Sequence, residues 1–238
     1  MCVLFIAYKK HPRYPLVVLA NRDEFYDRPT APADRWADHP QVTAGRDLVG
    51  GGTWLGIADG GRFAAVTNYR DPSRPAGSIS RGGLVADFLT GNSAPKNYLD
   101  EVGAGSANYS GFNLVVGSNE GFYYYSNAGS GAPRKLEPGL YGLSNHFLNT
   151  PWPKVSNGIA AFQRLIEADV FSNSDAFDLL ADETLAADDA LPDTGIGIEK
   201  ERVLSPIFIR TPIYGTRSST VVVSNSEGDL ELEEKVFV

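Results

Sequence analysis

Apolar residues in this chain come mostly in short runs separated by turn-forming residues, and only in the middle do they recur at helical spacing. The first run, "CVLFIAY", is bounded by the turn-like "KKHPRYP" and followed by "LVVLAN", which predicts a β-hairpin at the amino-terminal end. "DRPTAPADRWADHP" carries three prolines and no periodicity, and reads as loop. "GRDLVGGGTWLGIADGGRFAAVTNY" predicts two or three short strands around an Asp59-Gly60-Gly61 turn. A further hairpin is expected where "FNLVVG" and "FYYYS" flank Ser118 to Gly121.

Helical patterns follow another rhythm. "SRGGLVADFLTG" predicts a short helix capped by Ser80 and stopped at Gly91, and "APKNYLDEVG" a second. In "PWPKVSNGIAAFQRLIEADV" the residues Val155, Ile159, Phe162, Ile166 and Val170 fall on one face behind two prolines, which predicts the longest helix. "NSDAFDLLAD" supplies another. "SPIFI", "STVVVS" and "LELEEKVFV" then return to strand character, the last two around the turn "NSEGD". An order of β-rich, helical and β-rich segments, with no βαβ alternation, predicts an α+β fold of antiparallel sheets with helices on their outer faces. No repeat or linker divides residues 1–238, so one domain is expected.

Composition narrows the functional classes. Lys and Arg number 21 against 29 Asp and Glu, a formal charge of −8, which disfavours a nucleic-acid partner because phosphate contacts need a basic face. "YKKHPRYP" and "NYRDPSRP" are the local basic exceptions and suit an anionic group on a substrate. No run approaches the ~20 apolar residues of a membrane span. The apolar run from Val3 to Tyr8 is short and precedes its lysines, unlike a secretory signal. A cytoplasmic protein is therefore expected. One cysteine excludes a disulfide framework, and His11, His39 and His146 form no zinc-binding pair, so no metal site is expected. Gly50, Gly51 and Gly52 lack the phosphate-loop and dinucleotide-loop patterns and read as residues allowing close backbone approach.

The one cysteine is Cys2, directly behind Met1. Removal of Met1 leaves its thiol beside a free α-amino group, whose ordinary pKa of about 7.7–8.0 suits a base at neutral pH. Antiparallel pairing of the first two strands brings "ANRDEF" next to Cys2. Arg22 there favours the thiolate, and either Asp23 or Glu24 can support it. Asn68 in "AAVTNY" and Asn145 in "YGLSNH" end apolar runs and can supply oxyanion donors, each worth about 3 kcal/mol in the transition state.

"ANRDEF" is also the signature of the NRDE proteins, the family of transport and Golgi organization protein 2. The resemblance continues in order through "GGTWLG", "TNYRDP", "SRGGLV", "GFNLVVG", "YGLSN", "LPDTG" and "YGTRSSTV", across essentially the whole chain. The family is similar to the cysteine branch of the N-terminal nucleophile hydrolases, which implies a four-layer αββα sandwich of two antiparallel sheets. It implies Cys2 as nucleophile and Arg22 as the arginine beside it. Asp23 or Glu24 resembles the supporting acid, Asn68 and Asn145 resemble the oxyanion and substrate-amide contacts, and Arg217 resembles a late site arginine. The expected activity is hydrolysis or acyl transfer on an amide or thioester, needing no cofactor, with a small-molecule substrate bearing an acyl or anionic group. The alternative that the family suggests is a non-catalytic carrier holding haem, acyl-CoA or a lipid in the same pocket.

Overall fold

The computed structural model describes residues 2–168 and 170–238. Two antiparallel sheets are stacked face to face. The first holds five strands in the order β10-β1-β2-β11-β12: Gly139–Leu143, Cys2–Tyr8, Leu16–Phe25, Tyr214–Ser224 and Leu230–Val236. The second holds seven in chain order: β3 Thr30–Arg35, β4 Val42–Asp47, β5 Leu55–Ala58, β6 Arg62–Asn68, β7 Phe112–Ser118, β8 Gly121–Ser126 and β9 Arg134–Lys135. Helices α1 (Gly82–Thr90) and α2 (Pro95–Gly105) cover the outer face of the seven-stranded sheet. Helices α3 (Pro153–Glu167) and α4 (Asn173–Leu180) cover the five-stranded one. The result is the expected αββα arrangement.

Three apolar clusters correspond to the three interfaces between these layers. Leu4, Ile6, Val18, Phe63 and Val115 fill the space between the sheets. Leu84, Phe88 and Leu99 pack under the first helix pair, and Phe5, Leu19, Phe162 and Phe177 under the second. Strands β1 and β2 are buried on both faces, which is why they read as continuous apolar runs instead of alternating ones. Edge strand β12 has one face to solvent and alternates Leu with Glu accordingly. Among the described residues no helix is long and apolar enough to cross a membrane.

Four expectations need correction. The proline-rich stretch contains β3, a strand that the prolines allow because it lies at a sheet edge and slips register between Ala31 and Asp34. "SPIFI" is no strand: Ile207 and Ile209 are buried, but side chains take part of the backbone bonding, with Ile207 O accepting from Asn21 Nδ2 and Ile209 N donating to Thr216 Oγ1. The longest helix ends at Glu167, where Ala168 turns extended, so Val170 leaves the apolar face and is 70% exposed. Asp169 in that stretch, like Met1, lies outside the described residues. Helix α1 begins at Gly82 behind Arg81, and Ser80 serves only as acceptor for the Gly82 N–H at 3.3 Å. A fifth helix, α5 (Ile198–Val203), was not expected from the pattern.

Gly52 answers the triple-glycine question. A Cβ there would overlap the Gly82 backbone, so the loop passes against the start of α1 where no side chain fits. Its other backbone groups are committed to Asp47, whose Oδ1 accepts from Val49 N and Gly50 N at 2.9 Å each.

Candidate functional site

The β1–β2 register pairs Cys2 with Arg22. Directly opposed residues in an antiparallel ladder share a face with Cβ atoms about 5 Å apart, so hairpin pairing alone brings thiol and guanidinium together. Cys2 is half-buried, whereas Arg22 and Asp23 are almost wholly buried. A cavity of about 430 Å³ opens beside them where the ends of both sheets meet. Cys2, Arg22 and Asp23 line it from the five-stranded sheet, Trp54 and Asn68 from the other, and Arg81 from the start of α1.

Burial pushes the Cys2 thiol pKa up, the Asp23 carboxylate adds to the rise, and the Arg22 guanidinium opposes it. The Arg22 guanidinium lies 4.2 Å from the centre of the Trp54 ring, a cation–π contact. Its buried Nη1 has no hydrogen-bond partner among the described residues. Asp23 Oδ1 accepts from Thr216 Oγ1 at 2.8 Å, and burial raises this carboxyl's pKa while the Lys154 ammonium opposes the rise. Lys154 projects from α3 with 4% exposure, donates to Pro206 O at 3.4 Å, and is drawn down to about 8 by its burial. Farther back, Arg70 and Glu201 form a buried ion pair at 2.5 Å, with Arg70 over the Trp152 ring. Glu24, by contrast, is half-buried, lines the cavity as well, and among the described residues accepts the N–H of its neighbour Phe25. Of the two candidate acids, Asp23 is the one enclosed by protein.

Asn68 and Asn145 meet, though not side by side at the cavity. Asn68 lines it, while Asn145 is fully buried behind, its Nδ2 donating to the Asn68 carbonyl at 3.1 Å. Arg217 sits in a bulge of β11, between Thr216 and Ser218, and is not among the cavity-lining residues. Its guanidinium donates to the carbonyls of Phe25, Arg28 and Val238. Neither basic exception of the sequence reaches the cavity as a free cation. "KKHPRYP" caps the far end of β1, roughly 20 Å away at the ordinary strand rise, and in "NYRDPSRP" Arg70 is taken by Glu201. Among the described residues, no three His, Cys, Asp or Glu side chains converge as a metal site requires.

Sequence reasoning missed Thr216, Lys154, Trp54 and Arg81. For Trp54 and Arg81 a signal existed, since "TWLG" and "SRGGL" place an aromatic and a cation beside glycines that permit close packing. Lys154 gave none, because a lysine in the first turn of an amphipathic helix reads as solvent-facing.

A sequence model of the Transport and Golgi organisation 2 family matches residues 1–238. The chain is 37% identical over 255 residues to the Transport and Golgi organization protein 2 homolog of Bos taurus, and 34% identical over 255 residues to that of Homo sapiens. Each alignment covers 99% of this chain and 92% of the relative. The Drosophila melanogaster protein is 29% identical over 266 residues, covering 100% of this chain and 92% of that one. Among solved structures, the Caenorhabditis elegans N-acylethanolamine-hydrolyzing acid amidase ortholog matches with a TM-score of 0.56 over 100% of both chains at 12% identity. At that identity the likeness is one of fold, and it sets the two-sheet sandwich among N-terminal nucleophile-type hydrolase folds. With the whole sequence matched and relatives at 37% and 34% identity, the chain belongs to the Transport and Golgi organisation 2 family.

Proposed function

We propose that the protein is a cysteine-type N-terminal nucleophile hydrolase or acyltransferase, acting on an amide or thioester after Met1 is removed. The observation that carries this reading is the pairing of Cys2 with Arg22 at the wall of a 430 Å³ cavity. The raised thiol pKa makes a base necessary, since a neutral thiol is a poor nucleophile at pH 7. The α-amino group exposed at Cys2 is the nearest base that processing can create. It takes the thiol proton as sulfur bonds to the substrate carbonyl carbon, and the carbonyl oxygen becomes an oxyanion facing the Asn68 side chain. Collapse of this adduct breaks the bond to the leaving amine or thiol, which receives the proton from the α-ammonium. Water, or a second nucleophile in acyl transfer, then gives its proton to the amine, adds to the acyl-cysteine and releases the free thiol.

Arg22 holds negative charge on sulfur, and the buried Asp23 faces the α-ammonium. Asn145 and Arg217 act through others: Asn145 fixes the Asn68 backbone, and Arg217 ties the end of β2 to the segment that follows it. The test joins intact mass to covalent labelling. Protein lacking the Met1 mass should be acylated by an activated ester, and Cys2→Ala should abolish the label while the protein stays folded. An unlabelled, processed protein that instead binds haem or acyl-CoA saturably would overturn the hydrolase reading in favour of a carrier.

A further inference from the structure

Three guanidiniums, those of Arg22, Arg28 and Arg81, line the cavity beside the carboxylates of Asp23, Glu24 and Asp47. They are not equivalent. Arg28 is neutralised by Asp47 at 2.8 Å. Arg22 is almost wholly buried and packed on Trp54. Arg81 is half-buried, donates Nη1 to the Gly111 carbonyl at 3.1 Å, and makes no ion pair among the described residues. Burial depresses its pKa, so its charge is held in this wall at a cost. A guanidinium with unused donors in a partly desolvated wall is suited to a bidentate bond with an oxyanion.

The surroundings point the same way. Arg81 immediately precedes α1, a nine-residue helix; its own side chain makes no cap bond, and the Gly82 N–H donates to Ser80 Oγ at 3.3 Å. Gly82 and Ser80 also line the cavity, so the positive end of the helix dipole and a hydroxyl lie beside the guanidinium. Across the cavity, the Val49, Gly50 and Gly51 N–H groups of the glycine-rich loop already donate to Asp47.

We infer that Arg81, with Ser80 and the start of α1, forms an anion subsite of the cavity, and that the substrate carries a carboxylate or phosphoryl group beside its scissile carbonyl. The second half of this inference rests on the proposed function; the first does not, and can be tested without turnover. Glutarate, inorganic phosphate and sulfate are titrated calorimetrically into the full chain. At least one should bind saturably to the wild type. Arg81→Gln should weaken it about 10- to 100-fold, the loss expected for a charge-assisted hydrogen bond. Arg81→Lys should fall between the two and guards against a folding defect, and Arg46→Gln, in an exposed pair with Asp38, should bind as wild type does. Preference for glutarate or for phosphate tells carboxylate from phosphoryl. No binding by the wild type, or equal binding by Arg81→Gln, overturns the subsite. Anion binding through Arg81 in a protein that no ester acylates would sink the hydrolase reading and leave the subsite standing.

Discussion

Arg22 shows how one side chain links stability to reactivity. A buried donor left without a partner costs about 1–3 kcal/mol, and the Trp54 face returns part of this. What the charge contributes in exchange is a restraint on the Cys2 pKa that burial drives upward. Removing it should therefore make the thiol still harder to ionise. Arg22→Gln is expected to slow alkylation of Cys2 by iodoacetamide at pH 8 severalfold, because less of the thiol is then ionised. An unchanged rate would show that the guanidinium does not act on sulfur. The Cys2–Arg22 neighbourhood was legible in the sequence because a two-strand register needs only the hairpin. Lys154 was not, since an apolar stripe tells which way a residue faces but not how deep its helix lies.

The elements repeat this division between local and global information. Hairpins β1–β2, β7–β8 and β11–β12 and helices α1 to α4 follow from patterns a dozen residues long, and all are present. Strand β3, whose prolines hide it, and the irregular stretch at Ile207 depend on partners outside their own segments. The first owes its strand character to β4, and the second is held by Asn21 and Thr216. The docking of α3 on β1 has a specific weak point. Gly158 is a helical glycine against which the ring of Phe5 lies so close that a Cβ would overlap it. Phe5 is fully buried and packs on Phe162 at 6.3 Å between centroids, so it has little room to yield. Gly158→Ala should cost about 1–3 kcal/mol despite the better helix propensity of alanine. Thermal denaturation measures it, and a stabilised variant would mean that the interface shifts freely.

At the scale of the molecule, the site is a junction: the ends of two sheets meet at it, and α3 contributes a buried lysine whose charge acts on Asp23. That lysine gives the fold a signature in alkali. Its pKa falls from 10.5 to about 8 on folding, so between those values the unfolded chain holds a proton that the folded chain has released. Stability should rise with pH across that window, by on the order of 3 kcal/mol. Lys154→Met should lack this rise, and parallel stability curves for the two proteins from pH 8 to 10.5 would contradict it. Antiparallel sheets with outer helices were legible from the order of segments, and the four-layer sandwich from the family resemblance, whereas the buried charges between the layers were not, because each pairs residues remote in sequence. Such remoteness also has a consequence in time. Asp23 finds Thr216 across 193 positions, and Asn21 finds Ser219 across 198. At ordinary rates of synthesis, about 5–20 residues per second, that separation amounts to roughly 10–40 s. Throughout this interval the nascent amino-terminal hairpin has no β11 to close against, and Cys2 has beside it the Arg22 that hairpin pairing supplies. Only when the ribosome has delivered β11 does Asp23 gain Thr216 as its partner.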